Sequence, residues 1–222
     1  TTEIYTLSLH DALPISVYAG ENYLFGLFID KANLTVKGYK AGDMPVSSAS
    51  EAAVLFQTGS DIGFGPSGIF VKANGVKLEG LQIGDNIVGG VIKSNKTVEV
   101  IGDAFTMDKC FINTSSDKGA LYLGEWDAAH PVSSYSISNN IINNAVVSIN
   151  NGVGLSGDKT SRLITNNTFT GVATPYLIAF RGWNGTGPLQ GWIVKPVGGA
   201  VITGNTFNNT NVENYEIGRA HV

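Results

Sequence analysis

Cysteine, charge and long apolar runs are all scarce in this chain of 222 residues. The single cysteine, Cys110, excludes both an intramolecular disulfide framework and a cysteine-based metal site. Charged residues make up 14% of the sequence, the net charge is −4 and no basic run occurs, which argues against a nucleic-acid interface and a polybasic membrane patch. No apolar run reaches the roughly 20 residues that a membrane-spanning helix needs, so no span is expected.

Helical patterns are also missing, because no stretch sustains apolar residues at a period of 3.6. Glycine (28 residues) and asparagine are instead abundant. The apolar runs are short, β-branched or aromatic, and bounded by Gly, Asn, Asp or Ser, which is the signature of strands. This composition predicts an all-β fold with many turns.

The two ends of the chain resemble translated sequencing adapters. The opening TTEIYTLSLHDALPI and the closing EIGRAHV each match a translation of one end of a common short-read adapter. We therefore expect residues 1–16 and 216–222 to be artefacts, which excludes the adjacent His10 and Asp11 from any catalytic site. The genuine segment is then 17–215, a β domain cut at both ends, and we expect other domains in a longer chain.

Internal repetition is the strongest signal in the sequence. The pattern apolar-x-x-(Asn or small)-x-apolar recurs at 78–83, 107–112, 137–142, 164–169 and 202–207, with a degenerate copy at 34–38. Successive copies begin 29, 30, 27 and 38 residues apart. Each copy follows a companion apolar strand, and we assign these strands to 68–71, 90–92, 120–123, 146–149 and 176–180.

Strands that recur at this interval without helices predict a right-handed parallel β-helix, a solenoid of about six turns. Neighbouring turns stack at about 4.8 Å and share one continuous core. The fourth position of the pattern then forms a row along the coil, made of Leu81, Cys110, Asn140, Asn167 and Asn205. Stacked asparagines can form a hydrogen-bonded ladder and tolerate the left-handed backbone of a sharp bend. Cys110 is predicted to be a small buried core residue.

The segments GVKLEGLQI, SISNNII, LITNNTFTG and AVITGNTFNN resemble the right-handed β-helix of the pectate lyase-like superfamily, over about 34–209. The resemblance implies a secreted or cell-surface protein whose polysaccharide partner lies along one face, near the loops after the companion strands. The motifs of the pectinases are missing, including the Arg-x-Pro-x-x-Arg of pectate lyases and the catalytic sets of polygalacturonases and pectin methylesterases. Pectinase activity is therefore disfavoured.

Polar and aromatic residues follow three companion strands and form the candidate site. The candidate catalytic residues are Glu125, Asp127 and Arg181, and the candidate substrate-binding residues are Trp126, Asn150, Asn151 and Trp183. In stacked turns Glu125 and Arg181 lie about 10 Å apart, two turns away from each other. Tryptophan stacks on the apolar faces of sugars, and arginine binds carboxylates with a planar fork.

Two enzymatic interpretations of these residues stay open. Glu125 and Asp127 can serve as the two carboxylates of a glycoside hydrolase. Alternatively they hold Ca²⁺ on a uronate while Arg181 or Lys159 withdraws a proton. No cofactor other than Ca²⁺ is suggested, and the metal ligands are not identified. The competing structural interpretation makes the carboxylates solvated loop charges, the tryptophans a cover for the sides of the coil, and 158–162 an exposed polar turn.

Two classes of function therefore compete. One is a polysaccharide lyase, hydrolase or epimerase; the other is a non-catalytic stalk or glycan-binding segment of a bacterial surface protein or adhesin. The missing family motifs favour the second class, whereas the loops that carry Glu, Trp and Asp or Arg and Trp favour the first. The segments 42–68 and 182–199 are expected to be long loops, which are often functional.

Overall fold

A computed structural model describes residues 15–18, 23–24, 27–52, 55–58, 67–88, 91–92, 96–113, 120–124, 132–150, 159–170, 178–183, 192–193 and 200–208. Ile15 and Ser16, at the end of the expected adapter segment, begin the first strand and pair with Val36 and Lys37. The limits predicted for the domain and for the adapter segments remain predictions. No helix among the described residues is long and apolar enough to cross a membrane.

The described residues form short strands and two 3-10 turns, Ala49–Glu51 and Lys159–Ser161. The strands are β1 (Ile15–Tyr18), β2 (Tyr23–Leu24), β3 (Leu27–Ile29), β4 (Thr35–Lys40), β5 (Met44–Pro45), β6 (Leu55–Thr58), β7 (Ser67–Val71), β8 (Lys77–Glu79), β9 (Gln82–Val88), β10 (Val91–Ile92), β11 (Lys96–Val100), β12 (Phe105–Asp108), β13 (Phe111–Asn113), β14 (Ala120–Leu123), β15 (Tyr135–Ser138), β16 (Ile141–Asn143), β17 (Val146–Asn150), β18 (Arg162–Thr165), β19 (Thr168–Thr170), β20 (Ile178–Trp183), β21 (Trp192–Ile193), β22 (Val201–Thr203) and β23 (Thr206–Asn208).

Three sheets run along the coil, and the chain visits them in turn. Sheet A has the order β1-β4-β8-β12-β15-β18-β22, sheet B the order β2-β6-β9-β13-β16-β19-β23, and sheet C the order β3-β7-β11-β14-β17-β20-β21. Neighbours along these paths pair in parallel, except β20 and β21, which are antiparallel. The predicted all-β, right-handed parallel β-helix is confirmed.

The core lies inside the coil, where alternate residues of strands such as β8, β12, β15 and β18 point inward. In sheet C the in-register residues Ile69, Val98, Leu121 and Val147 are fully buried. A single turn has no second layer to cover these side chains, so each turn depends on its neighbours for burial. The sequence repeat arises because each turn contributes apolar residues at the same positions to this shared core.

A left-handed residue makes the sharp bend between sheets A and B. It precedes the row position in each copy of the repeat: Gly80 (φ 65°), Lys109 (φ 53°), Asn139 (φ 57°), Asn166 (φ 57°) and Gly204 (φ 67°). The expectation that the row asparagines themselves adopt this conformation was therefore wrong. The bend comes first, and the next residue then points its side chain into the coil.

The three row asparagines are joined by hydrogen bonds between successive turns. Asn140 Nδ2 donates to Asn167 Oδ1 (2.9 Å), and Asn167 Nδ2 donates to Asn205 Oδ1 (3.0 Å). Each Oδ1 also accepts the backbone N–H of the row residue one turn earlier, at 2.8–3.0 Å, beginning with that of Cys110. Each Nδ2 also donates to a backbone carbonyl, those of Met107, Ile137 and Ile164. The asparagines therefore satisfy backbone groups that the bend leaves unpaired.

Cys110 occupies the same row as a fully buried thiol. Its Sγ donates to the carbonyl of Leu78 at 3.6 Å, the position that corresponds to the carbonyl bound by each row asparagine. Burial raises the pKa of the Cys110 thiol to about 12. A thiol that stays protonated inside the coil is an inert packing group rather than a nucleophile.

Two strand assignments made from sequence need correction. The predicted companion strand at 90–92 is β10, which pairs antiparallel with β9 instead of joining sheet C. The strand of sheet C in that turn is β11, which the sequence pattern hid because Lys and Glu interrupt its valines. Segment 42–68, expected to be a loop, contains the sheet B strand β6.

The segment 158–162, expected to be an exposed polar turn, is not exposed at its last residue. Thr160 and Ser161 are exposed, but Arg162 begins β18 and is only 4% exposed. The alternation of β18 places this arginine inward, on the same side as Ile164.

Candidate functional site

The outer face of sheet C carries a row of polar side chains. Val98 and Val100 point into the core, so Glu99 between them points outward. Glu99 is the Cα partner of Tyr122, and Tyr122 is the Cα partner of Ser148. We call Glu99, Tyr122 and Ser148 the polar row. Adjacent strands lie about 4.8 Å apart, so the row spans about 10 Å along the coil.

The polar row is buried although it faces away from the coil interior. Glu99 is 6% exposed, Tyr122 8% and Ser148 0%. Each of the three side chains or its backbone has an interaction partner. Removing a carboxylate from water is unfavourable unless the protein replaces the lost hydrogen bonds, so this row is an ordered polar arrangement. It combines an acceptor with two hydroxyl groups that can both donate and accept.

A second row lies where the strands of sheet C end. Asn150 of β17 and Arg181 of β20 are Cα partners. The preceding turn places Gly124 beside Asn150, because Leu123 pairs with Ile149. We call Gly124, Asn150 and Arg181 the edge row. It lies two residues beyond the polar row along each strand, so both rows belong to the same side of the coil.

The structure thus brings two predicted site residues, Asn150 and Arg181, onto neighbouring strands. Trp183 lies further along β20, where it is the Cα partner of Trp192 in β21. The other predicted residues, Glu125, Trp126, Asp127 and Asn151, lie outside the described residues, and their roles stay predictions. Glu125 directly follows Gly124 of the edge row in sequence.

The described part of the chain contains no group of three or more His, Cys, Asp or Glu residues that could hold a metal ion. Ca²⁺ binding by Glu125 and Asp127 therefore remains a prediction. Lys159, the alternative base, lies in the 3-10 turn that leads into β18 of sheet A. Arg181 lies in β20 of sheet C, so the two candidate bases belong to different sheets.

In contrast, Glu79 on the outer face of sheet A forms ion pairs with two lysines. Its Oε2 lies 2.7 Å from Nζ of Lys77, and its Oε1 lies 3.4 Å from Nζ of Lys37. Partial burial alone would raise the pKa of Glu79, but the hydrogen bonds and charges of the two lysines outweigh it and lower the pKa. A carboxylate kept ionised in this way is poorly suited to donate a proton.

The polar row was missed in the sequence, although a signal for it exists. Tyr122 and Ser148 lie inside companion strands that were identified, and period-two alternation around the buried leucines, valine and isoleucine places both outward. The sequence pattern does not point to Glu99, because 90–92 is the more apolar candidate for the companion strand of that turn. The alternation of KTVEV, with Val98 and Val100 inward, was the signal that could have revealed it.

No protein-family model matches the chain, and no curated protein matches it significantly. Among solved structures, the crystal structure of Escherichia coli YbhC is similar to this chain, with 12% sequence identity and a TM-score of 0.47. The alignment covers 87% of this chain, which spans 63% of the length of that structure. The fold assignment rests on the strand registers described above.

Proposed function

We propose that this protein is a secreted or cell-surface β-helix that binds polysaccharide along the outer side of sheet C. The observation that carries the proposal is the edge row, in which Asn150 and Arg181 are Cα partners on neighbouring strands. The polar row of Glu99, Tyr122 and Ser148 is buried in the same sheet and supports the edge row rather than contacting the glycan. The edge row repeats at about 4.8 Å and so offers one position per turn to a linear polymer.

The residue types suit an acidic or hydroxyl-rich glycan. Arginine binds carboxylates in a bidentate manner, which favours a uronate-containing chain near Arg181. Trp126 and Trp183 supply aromatic surface for apolar sugar faces. In the catalytic form of this proposal, Glu125 and Asp127 act on the bound chain, either as an acid and base pair or through Ca²⁺.

A non-catalytic stalk is the second candidate, and the continuous core favours it. Seven strands of sheet A and seven of sheet B stack along the coil within the described residues, and hydrogen bonds through Asn140, Asn167 and Asn205 tie successive turns together. Such a coil is a stiff spacer whether or not it binds a ligand.

A polysaccharide panel distinguishes these functions. The chain is incubated with neutral and uronate-containing polysaccharides, with and without Ca²⁺, and three signals are recorded: binding, new reducing ends and unsaturated-uronate absorbance. The binding proposal expects retention on at least one polysaccharide, weakened at least about tenfold by Arg181→Ala, since a charge-assisted hydrogen bond contributes about 1.5–3 kcal/mol.

Matched carboxylate variants test whether sheet C is the binding side. Glu99→Gln is expected to weaken binding by disturbing the buried polar row that supports the edge row, whereas Glu79→Gln, on the outer face of sheet A, is expected to leave binding unchanged. Product formation that Glu125→Ala abolishes would add catalysis to the proposal. Absence of both binding and products across the panel would reject it in favour of the stalk.

A further inference from the structure

A cation lies at an inward-facing position of sheet A. Arg162 occupies the first inward position of β18 and is 4% exposed. The corresponding residues of the preceding turns are Val76, Phe105 and Tyr135, all buried. An arginine stays charged in a protein, so this turn places a permanent positive charge at a core position.

Two buried polar atoms at this position have no hydrogen-bond partner. They are Nε of Arg162 and the hydroxyl of Tyr135, which is 3% exposed. The two residues are Cα partners on the adjacent strands β18 and β15. Burial raises the pKa of Tyr135 to about 12, against the opposing effect of the Arg162 charge, so the phenol keeps its proton at neutral pH.

Both groups are therefore hydrogen-bond donors that lack an acceptor. A guanidinium has no acceptor atom at all, and the phenol carries an O–H group. Among the described residues, the ion pairs join lysines to carboxylates and none includes Arg162. A buried charge is strongly unfavourable without a counter-charge.

We propose that Arg162 and Tyr135 bind a small monovalent inorganic anion, of which chloride is the probe, inside the coil against the inward side chains of β15 and β18. An anion of this kind is an acceptor only and carries the compensating charge, whereas a water molecule would supply an acceptor but leave the guanidinium uncompensated. The bound anion joins the two turns whose sheet C strands, β17 and β20, hold Asn150 and Arg181. This site is independent of the proposed polysaccharide function.

Chloride dependence of stability tests the proposal. The full chain is unfolded with urea in sodium chloride and in sodium gluconate at equal sodium concentration, since gluconate is too large for a site inside the coil. The ratio of folded to unfolded protein should rise up to about tenfold for each tenfold increase in chloride above the dissociation constant. In gluconate the ratio should stay constant, and chloride NMR line broadening should report binding to the folded chain directly.

Three variants make the test specific. Tyr135→Phe keeps the shape and the charge but removes one donor, so it should need at least about tenfold more chloride for the same effect. Arg162→Met should abolish the chloride response, and Lys77→Met, which removes a surface cation from sheet A, should retain it. Equal stability of the wild-type chain in both salts would overturn the proposal, as would a chloride response that both Tyr135→Phe and Arg162→Met retain.

Discussion

Replacing Asn167 by alanine tests how much the hydrogen-bonded asparagine row stabilises the coil. The substitution removes four hydrogen bonds. Asn167 Oδ1 accepts from the backbone N–H and from Nδ2 of Asn140 (3.0 and 2.9 Å), and Asn167 Nδ2 donates to the Ile137 carbonyl and to Asn205 Oδ1 (2.9 and 3.0 Å). Asn167 is 1% exposed, so water cannot replace these bonds without opening the coil.

The expected loss depends on which partners keep another bond. Asn140 Nδ2 still donates to the Met107 carbonyl, and Asn205 Oδ1 still accepts the backbone N–H of residue 167. The backbone N–H of Asn140 loses its acceptor, which costs about 1–3 kcal/mol for a buried donor. With the smaller net loss from the other bonds, Asn167→Ala should lower the free energy of unfolding by about 3 kcal/mol.

Urea unfolding followed by circular dichroism measures this loss, with Asn113→Ala as the matched control. Asn113 is an exposed strand residue that accepts one hydrogen bond from Asn143 Nδ2, so its replacement should change stability by no more than about 0.5 kcal/mol. Equal effects of the two substitutions, with unchanged denaturant slopes, would refute the assignment of a stabilising role to the row.

Three further predictions concern glycine contacts, backbone strain and alkaline pH. Gly38→Ala should lower the free energy of unfolding by more than about 2 kcal/mol, because the new Cβ would lie 2.1 Å from a backbone oxygen of the next turn. Gly42→Ala, at φ +75° with open space around it, should cost only about 1 kcal/mol in the same urea assay. Lys109→Gly should raise stability by up to about 1 kcal/mol, since φ is 53° there; a lower stability would count against the strain argument. Folding raises the pKa of Cys110 from 9.0 and of Tyr135 from 10.0, both to about 12. Their contribution to the free energy of unfolding should therefore be fully present below pH 9. It should fall as the pH rises towards 12, by at most about 1.4 kcal/mol per pH unit for each group. Tyr135→Phe should flatten the decline above pH 10 in urea midpoints, and an unchanged profile would contradict the assignment.

The corner between sheets A and B was predictable from sequence because it requires the same residue types in each copy of the repeat. Every turn needs an apolar residue before the bend and another after it, so the pattern survives in copies as different as 78–83 and 202–207. The conformation of the bend was assigned one residue too late. Gly80 and Gly204 signal the left-handed position clearly, but Asn139 and Asn166 are followed by a second asparagine, and composition alone cannot tell the two apart.

The sequence did not reveal the strands in which a charged side chain is buried. Glu99 is a buried carboxylate in a strand, and Arg162 is a buried guanidinium, whereas residues of both types usually mark solvent-exposed segments. The sequence pattern therefore does not reveal the strand β11, and it wrongly predicts the start of β18 as part of an exposed polar turn. The edge row was anticipated better, because the position of Asn150 and Arg181 depends on strand register rather than on burial.

The direction of the asparagine row makes the coil sensitive to chemical ageing. Asn140 and Asn167 each accept from the turn before them and donate to the asparagine of the next turn, so their amide dipoles align along the coil. Deamidation of Asn167 to aspartate exchanges one nitrogen for oxygen and turns a donor into an acceptor. A carboxylate oxygen would then face the Ile137 carbonyl and Asn205 Oδ1, two acceptors at less than 3.1 Å. A change of a single heavy atom would thus place electrostatic repulsion inside the core.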